Sequence, residues 1–174
     1  YSSGIHCPLV VRVPEKFKHL YPAKNPGAVI DRLVSFVDMP KTWLSLAGAE
    51  IPDTFQGTVF LGEGIEEEPA YHLAFRERAD ERLDCVRVIR DKRYAYHKNY
   101  MPYAPAGQHL AYLWKAEATR AWEQHHREGK TDVITGRFFE PRVSEEFFDN
   151  EKDFDNVHNL IEADEHQERI AELK

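Results

Sequence analysis

The chain has 174 residues, the length of one domain, and 42% of them are hydrophobic, enough to build a core, so default disorder is excluded. Twenty-three Lys and Arg against thirty Asp and Glu give a formal charge of −7, which supplies no global basic field for a polyanion such as duplex DNA. No nucleic-acid partner is expected.

Leu9-Val10-Val11-Arg12-Val13, stopped by Pro14, is a short β-branched run that predicts a buried strand. Such a strand needs covering elements and sheet neighbours, and the next 60 residues or so offer few. The sequence therefore reads as beginning in mid-domain. Further on, the apolar spacing of Leu33 to Ala47 is mainly helical. It predicts a helix starting near Asp38, with that carboxylate as N-cap, Pro40 in the first turn and Gly48 as the stop. Glu63 to Pro69 is acidic and bounded by breakers, a surface loop near a boundary. Two parts are expected, 1–60 and 61–174.

Val86, Val88, Tyr94 and Tyr96 alternate around the charged turn Arg90-Asp91-Lys92-Arg93, which predicts a β-hairpin. Past Pro102 and Pro105, Leu110, Leu113, Trp114, Ala118, Ala121 and Trp122 mark one helix face closed by Gly129. A short strand at Glu146-Phe147-Phe148-Asp149, a polar turn and a final helix complete the chain. That helix is opened by Asp164 with Gln167 three residues on, a capping-box pattern. Nearly all the excess acidity lies here, since residues 141–174 carry 4 basic and 11 acidic side chains.

Few residues are spaced for chemistry. Cys7 and Cys85 lack the separation of a zinc site or a redox pair, and Cys7 reads as a small apolar residue. Asp149, Asp153 and Asp155 crowd a turn but lack the glycine and distal glutamate of a calcium loop, so they are read as bonding their own backbone. His125 and His126 lie about 100° apart on a helix and cannot converge on one metal. No uninterrupted apolar run approaches the roughly 20 residues that span a bilayer, and no export signal is seen, so no membrane partner is expected.

Arg76 to Lys98 carries eight basic side chains against five acidic ones, a positive stretch in an acidic protein. Guanidinium forks suit sulfate and carboxylate, while carboxylates accept sugar hydroxyls. Arg76, Arg78 and Arg82, interleaved with Glu77, Asp80, Glu81 and Asp84, are accordingly candidate ligand contacts, with an ion-pair network on a solvated loop as the alternative. His97 and His109 are read as structural.

Four blocks together resemble the C-terminal part of the type I, formylglycine-dependent sulfatases of the alkaline phosphatase superfamily. They are residues 1–14 (YSSGIHCPLVVRVP), 34–48 (VSFVDMPKTWLSLAG), 86–96 (VRVIRDKRYAY) and 146–160 (EFFDNEKDFDNVHNL). The second is similar to a "VSxxDxxPTxLxLAG" helix with its proline one place early. The fourth has Phe154 and Asn156 where the family pattern has proline and glutamate. Residues 75–82 (FRERADER) are similar to an "RxRxDER" stretch placed just before the family's hairpin.

The resemblance implies an α/β fold, contributing the last strand or strands of the main sheet and a small antiparallel C-terminal sheet packed by a helix. It implies sulfate ester hydrolysis on sulfated saccharides, using calcium and formylglycine in the full-length enzyme. No catalytic or metal position carries over. Cys7 is followed directly by Pro8, with Arg12 five residues on, unlike the C/S-x-P-x-R motif. The chain alone is expected to be inactive, with the missing N-terminal part and a sulfated saccharide as its partners. By that resemblance Arg78, Asp80, Glu81 and Arg76 would form part of the substrate cleft wall, with Tyr100, Tyr103 and Gln108 as further wall candidates. A phosphonate or phosphate ester hydrolase, or a non-catalytic glycan-binding module, are the alternatives.

Overall fold

The computed structural model describes residues 1–23 and 25–174. They form two compact units, one of Tyr1–Ser3 with Leu73–Lys174 and the other of Gly4–His72.

The Gly4–His72 unit begins within the one-turn helix α1 (Ser2–Ile5) and is organised by helix α2 (Asp38–Leu46). The predicted helix is present, with Gly48 in the left-handed region (φ 64) just past its end. Asp38, however, does not cap it. Its carboxylate is buried and accepts from the backbone N–H of Ser35 (2.7 Å) and of Thr58 (2.8 Å), pinning the 57–61 segment to the helix start. Gly57 is needed there, because with φ 86 an added Cβ would sit 2.6 Å from the Val37 carbonyl. The buried run Val59-Phe60-Leu61 then packs on α2, with the Phe60 N–H bonded to the Thr42 hydroxyl at 3.2 Å. Within the acidic loop, Glu66 is held by Lys41 and by the Val59 N–H, which together lower its pKa.

Leu9 to Val13 is not a strand. Val10 is 91% exposed, and Leu9 and Val11 are nearly half exposed. A strand apolar on both faces is stable only between partners, and among the described residues none pairs with it.

The second unit is a four-stranded sheet in the order β1 (His72–Ala79), β2 (Arg82–Arg90), β3 (Tyr94–Asn99), β4 (Glu145–Asp149). The predicted hairpin is β2–β3, with Arg90 opposite Ala95. Asp91 closes its turn by accepting from the backbone N–H of Arg93 (2.7 Å) and of Tyr94 (2.5 Å). Antiparallel pairing of β3 with β4 sets Tyr96 against Phe147 and Ala95 against Phe148, so the two faces are dressed differently. Tyr96 and Phe147, with Tyr94 stacked on Phe147 at 5.2 Å, form a core with Ile170 and Leu173 of helix α5 (Gln167–Leu173). On the opposite face the Tyr1 ring stacks on His97 (5.6 Å) and meets Phe148 edge-on.

Two helical expectations change in detail. The single helix read over 110–129 is a short 3₁₀ turn at Leu113–Lys115 followed by α3 (Glu117–Arg127), separated by extended backbone at Ala116 (ψ 130). α3 is followed by the one-turn helix α4 (Val133–Gly136), which Asp132 and Thr135 cap reciprocally. At the final helix the capping box does not form. Asp164–His166 is a 3₁₀ turn, and the Gln167 amide instead donates to the carbonyls of Ile161 and Ala163.

Charges on the sheet are paired by register. Lys98, opposite Glu145, bonds it at 2.6 Å, and Lys174 bonds the same carboxylate at 2.8 Å. Lys174 and then Lys98 bring the Glu145 pKa down to about 2. His97 goes the other way for its class. Burial, aided by the positive charges of the Tyr1 amino group and Arg90, lowers its pKa to about 3. Its folded pKa lies below the usual 6.5, so the unfolded chain takes up a proton that the native state refuses, and stability falls as pH drops below 6.5. We expect a loss of about 1 kcal/mol between pH 7.0 and 5.5, above the window in which Glu145 acts. Urea unfolding at both pH values should show this loss in the native chain and most of it abolished in His97→Gln.

Candidate functional site

The segment flagged by its charge is β1 and the turn after it. Residues 72–79 alternate, and the burial alternates with them over most of the strand. His72, Ala74 and Arg76 are half-buried, while Leu73, Phe75 and Glu77 are exposed. The two-residue connection Asp80-Glu81 makes the reversal. Asp80 has φ 51, a conformation that Asp tolerates better than most side chains.

Each candidate has a definite setting. Arg76 leans inward to within 3.1 Å of the Asp84 carboxylate, although its Nε–H does not point along that line. Arg78 folds back, its Nε–H donating to the Asp80 carbonyl at 2.6 Å, and its side chain is exposed. The Asp80 carboxylate is exposed at the tip of the same turn. Glu81 accepts from the Ala111 backbone N–H at 2.7 Å, which holds its pKa below the usual carboxylate range. The turn thus presents Arg78 and Asp80 outward, whereas Arg76 faces the protein and Glu81 serves as a tether.

Two more bonds fix the hairpin to the 105–114 loop. The Arg82 Nε–H donates to the His109 carbonyl at 2.7 Å, and the Gln108 amide donates to the Leu83 carbonyl at 2.8 Å. Tyr100 and Tyr103 are well exposed. His97 is buried in the sheet, whereas His109 is exposed, its ring against Trp114 with centroids 4.6 Å apart.

Beneath the turn lies a group that sequence reasoning treated only as one charge among many. Asp84 has no exposed side-chain surface and is gripped by Arg142, with contacts of 2.6 and 3.2 Å. Arg142 also donates to the carbonyls of Met101 and Ala104, so one guanidinium joins β2, the 101–104 loop and the return toward β4. No local pattern announces a pairing across 58 residues.

Among the described residues, no group of three or more His, Cys, Asp or Glu is placed to hold a metal ion. In the acidic turn, Asp149 faces Arg93 at 2.7 Å and Asp153 accepts from the His158 N–H, so they do not converge on a cation. Cys7 is an exposed free thiol, directly followed by Pro8. The residues present therefore do not fit the calcium or the formylglycine that the resemblance implies.

Comparison with known proteins bears out the resemblance. The sequence is 30% identical over 175 residues to an ulvan-active sulfatase of Formosa agariphila, matching 100% of this chain and 28% of that protein. A second ulvan-active sulfatase of the same bacterium is 28% identical over 103 residues, 56% of this chain and 19% of its own length. The fold matches that of a 2-O GAG sulfatase with a TM-score of 0.53 at 19% identity, covering 88% of this chain and 25% of that one. No family model matches. The chain is thus related over its whole length to a sulfatase and spans about a quarter of it, which is consistent with a C-terminal portion of such an enzyme.

Removing one side of the buried pair leaves the other uncompensated. Asp84→Asn should lower stability by about 3 kcal/mol or more. Arg76→Gln, at a partly exposed partner, should cost under about 1 kcal/mol. Urea midpoints of the two variants provide the check, and equal losses would contradict the asymmetry.

Proposed function

We propose that this chain is part of a sulfatase that hydrolyses sulfate esters on sulfated saccharides, and that it supplies a wall of the substrate cleft rather than the reacting groups. The single observation that carries the reading is the relationship to an ulvan-active sulfatase along the entire chain. The exposed apolar stretch at Leu9–Val11 supports it, being the surface a longer protein would cover with neighbouring strands. Nucleophile and metal ligands belong, in this reading, to the remainder of the enzyme.

Within the wall, Arg78 and Asp80 would be the residues that touch substrate. Arg78 is exposed, its terminal N–H groups make no hydrogen bond among the described residues, and they suit a sulfate or carboxylate in a forked geometry. Asp80, beside it at the turn, would accept a sugar hydroxyl. Arg76 and Glu81 act behind them, one on Asp84 and the other on the Ala111 N–H, and hold the turn in place.

Two outcomes follow. The 174-residue chain alone should show no turnover of an aryl sulfate at any calcium concentration, and metal-dependent turnover by the pure chain would overturn the division of labour. In the full-length enzyme, Arg78→Gln should raise KM for a sulfated oligosaccharide about tenfold while leaving an aryl sulfate within about twofold. Equal effects on both substrates would remove Arg78 from the wall. Binding of the saccharide without any hydrolysis would favour a glycan-binding module instead.

A further inference from the structure

The extended backbone at Ala116 separates the 3₁₀ turn from α3, and the space between the 105–114 loop and α3 is an open cleft of about 440 Å³. That is within the range of small-ligand sites. Its lining includes Arg82, Gln108, His109, Trp114, Glu123 and Arg127, a set in which aromatic surface, guanidinium groups and hydroxyl-binding atoms meet.

The charges are not balanced inside the cleft. Glu123 has both carboxylate oxygens engaged, one by the Trp114 indole N–H at 2.7 Å and the other by Arg127 at 2.7 Å. Those donors, Trp114 foremost, hold its pKa below the usual carboxylate range. One carboxylate thus faces two guanidinium groups. Arg82 uses its Nε–H on the His109 carbonyl, and its terminal nitrogens make no hydrogen bond or ion pair among the described residues, although its charge is felt by the exposed Glu81. The indole N–H bond to Glu123 also fixes the plane of the Trp114 ring, while the His109 ring lies against it with no hydrogen bond to its nitrogens among the described residues. An immobilised aromatic surface beside surplus guanidinium, and a Gln108 amide oxygen with no hydrogen bond among the described residues, suits a sugar ring that carries an anionic group.

We propose that this cleft is a saccharide subsite that binds a sugar unit bearing a sulfate or carboxylate, held by Arg82 and Arg127 against Trp114. The proposal rests on the saccharide reading above and extends it from the β1–β2 turn across the tethered 105–114 loop. The Arg82 to His109 and Glu81 to Ala111 bonds make the turn and the cleft neighbours, so a chain lying on Arg78 reaches Arg82 within a few residues of the same hairpin.

The chain has three tryptophans, Trp43, Trp114 and Trp122, so its indole N–H signals can be assigned by substitution and followed by NMR. The full chain would be titrated with dextran sulfate, carboxymethyl-dextran, neutral dextran and sodium sulfate at matched anion concentration. The Trp114 indole signal should shift with one or both anionic dextrans, which tells sulfate from carboxylate, and stay still with neutral dextran. Arg82→Gln and Arg127→Gln should each weaken that binding about tenfold, whereas Arg87→Gln, at an exposed arginine paired with Glu77 elsewhere on the sheet, should stay within about twofold. An unmoved Trp114 signal, or unchanged affinity in both cleft variants, overturns the subsite. Sodium sulfate binding as tightly as the dextrans reduces it to a plain anion site, and neutral dextran binding equally well removes the role of charge. A Trp114 signal that stays silent while the full-length enzyme hydrolyses sulfated saccharides refutes this subsite alone. A shift without any hydrolysis refutes the activity and leaves the subsite standing.

Discussion

Asp84 is a carboxylate taken wholly out of water at the point where strand β2, the 101–104 loop and the segment leading into β4 converge. An isolated buried charge would be prohibitive, so the surrounding chain must supply opposite charge in a fixed direction. Arg142 does so with two contacts and uses its other N–H groups on the loop carbonyls, while Arg76 approaches from β1. The Asp84 carboxylate also accepts from the Cys85 N–H. Everything above it inherits that order. The β1–β2 turn is mounted on this base and tied laterally through Glu81, Arg82 and Gln108, so the outward positions of Arg78 and Asp80 follow from what is buried beneath them.

The sheet gives the same unit its second constraint. Alternation sends Tyr94 and Tyr96 to the α5 face and Ala95, His97 and Asn99 to the other, and the pairing with β4 delivers Phe147 and Phe148 to opposite sides. A slip of one residue would place Phe147 where the Tyr1 ring lies and leave α5 without its core. The acidic character of residues 141–174 is compatible with this because its carboxylates are used locally. Glu145 holds Lys98 and Lys174, Asp149 holds Arg93, and Asp153 bonds a backbone N–H.

What was legible in the sequence was what local chemistry encodes. Alternation around the Arg90–Arg93 turn identifies a hairpin, and Asp91 makes the turn bonds that its residue type promises. A helix from Asp38 to Gly48 is equally readable, though the carboxylate at its start was recruited by the distant Thr58 N–H instead of its own helix. Strand β1 was obscured because its alternation sets Leu73 and Phe75 outward and Arg76 inward, the reverse of the usual amphipathic pattern. Leu9–Val13 reads as a strand by composition and is exposed because a strand is a property of a pair. The cleft beside Trp114 could not be read at all. It adjoins a break at Ala116, a residue with no helix-breaking chemistry, inside an otherwise helical pattern.

The charge distribution sharpens what kind of recognition the proposed surfaces permit. Residues 73–174 carry 17 basic and 21 acidic side chains, so at long range this unit repels polyanions, and the repulsion fades beyond about 8 Å at physiological ionic strength. Attraction is confined to contact distance, where the terminal nitrogens of Arg78 and Arg82 are left without a carboxylate partner among the described residues. Binding of that kind gains little from steering and depends on fit: an anionic group must arrive at the spacing of the guanidinium groups while the sugar meets the indole face. A uniformly charged polymer satisfies the first condition anywhere along its length but the second only where a ring presents the right face.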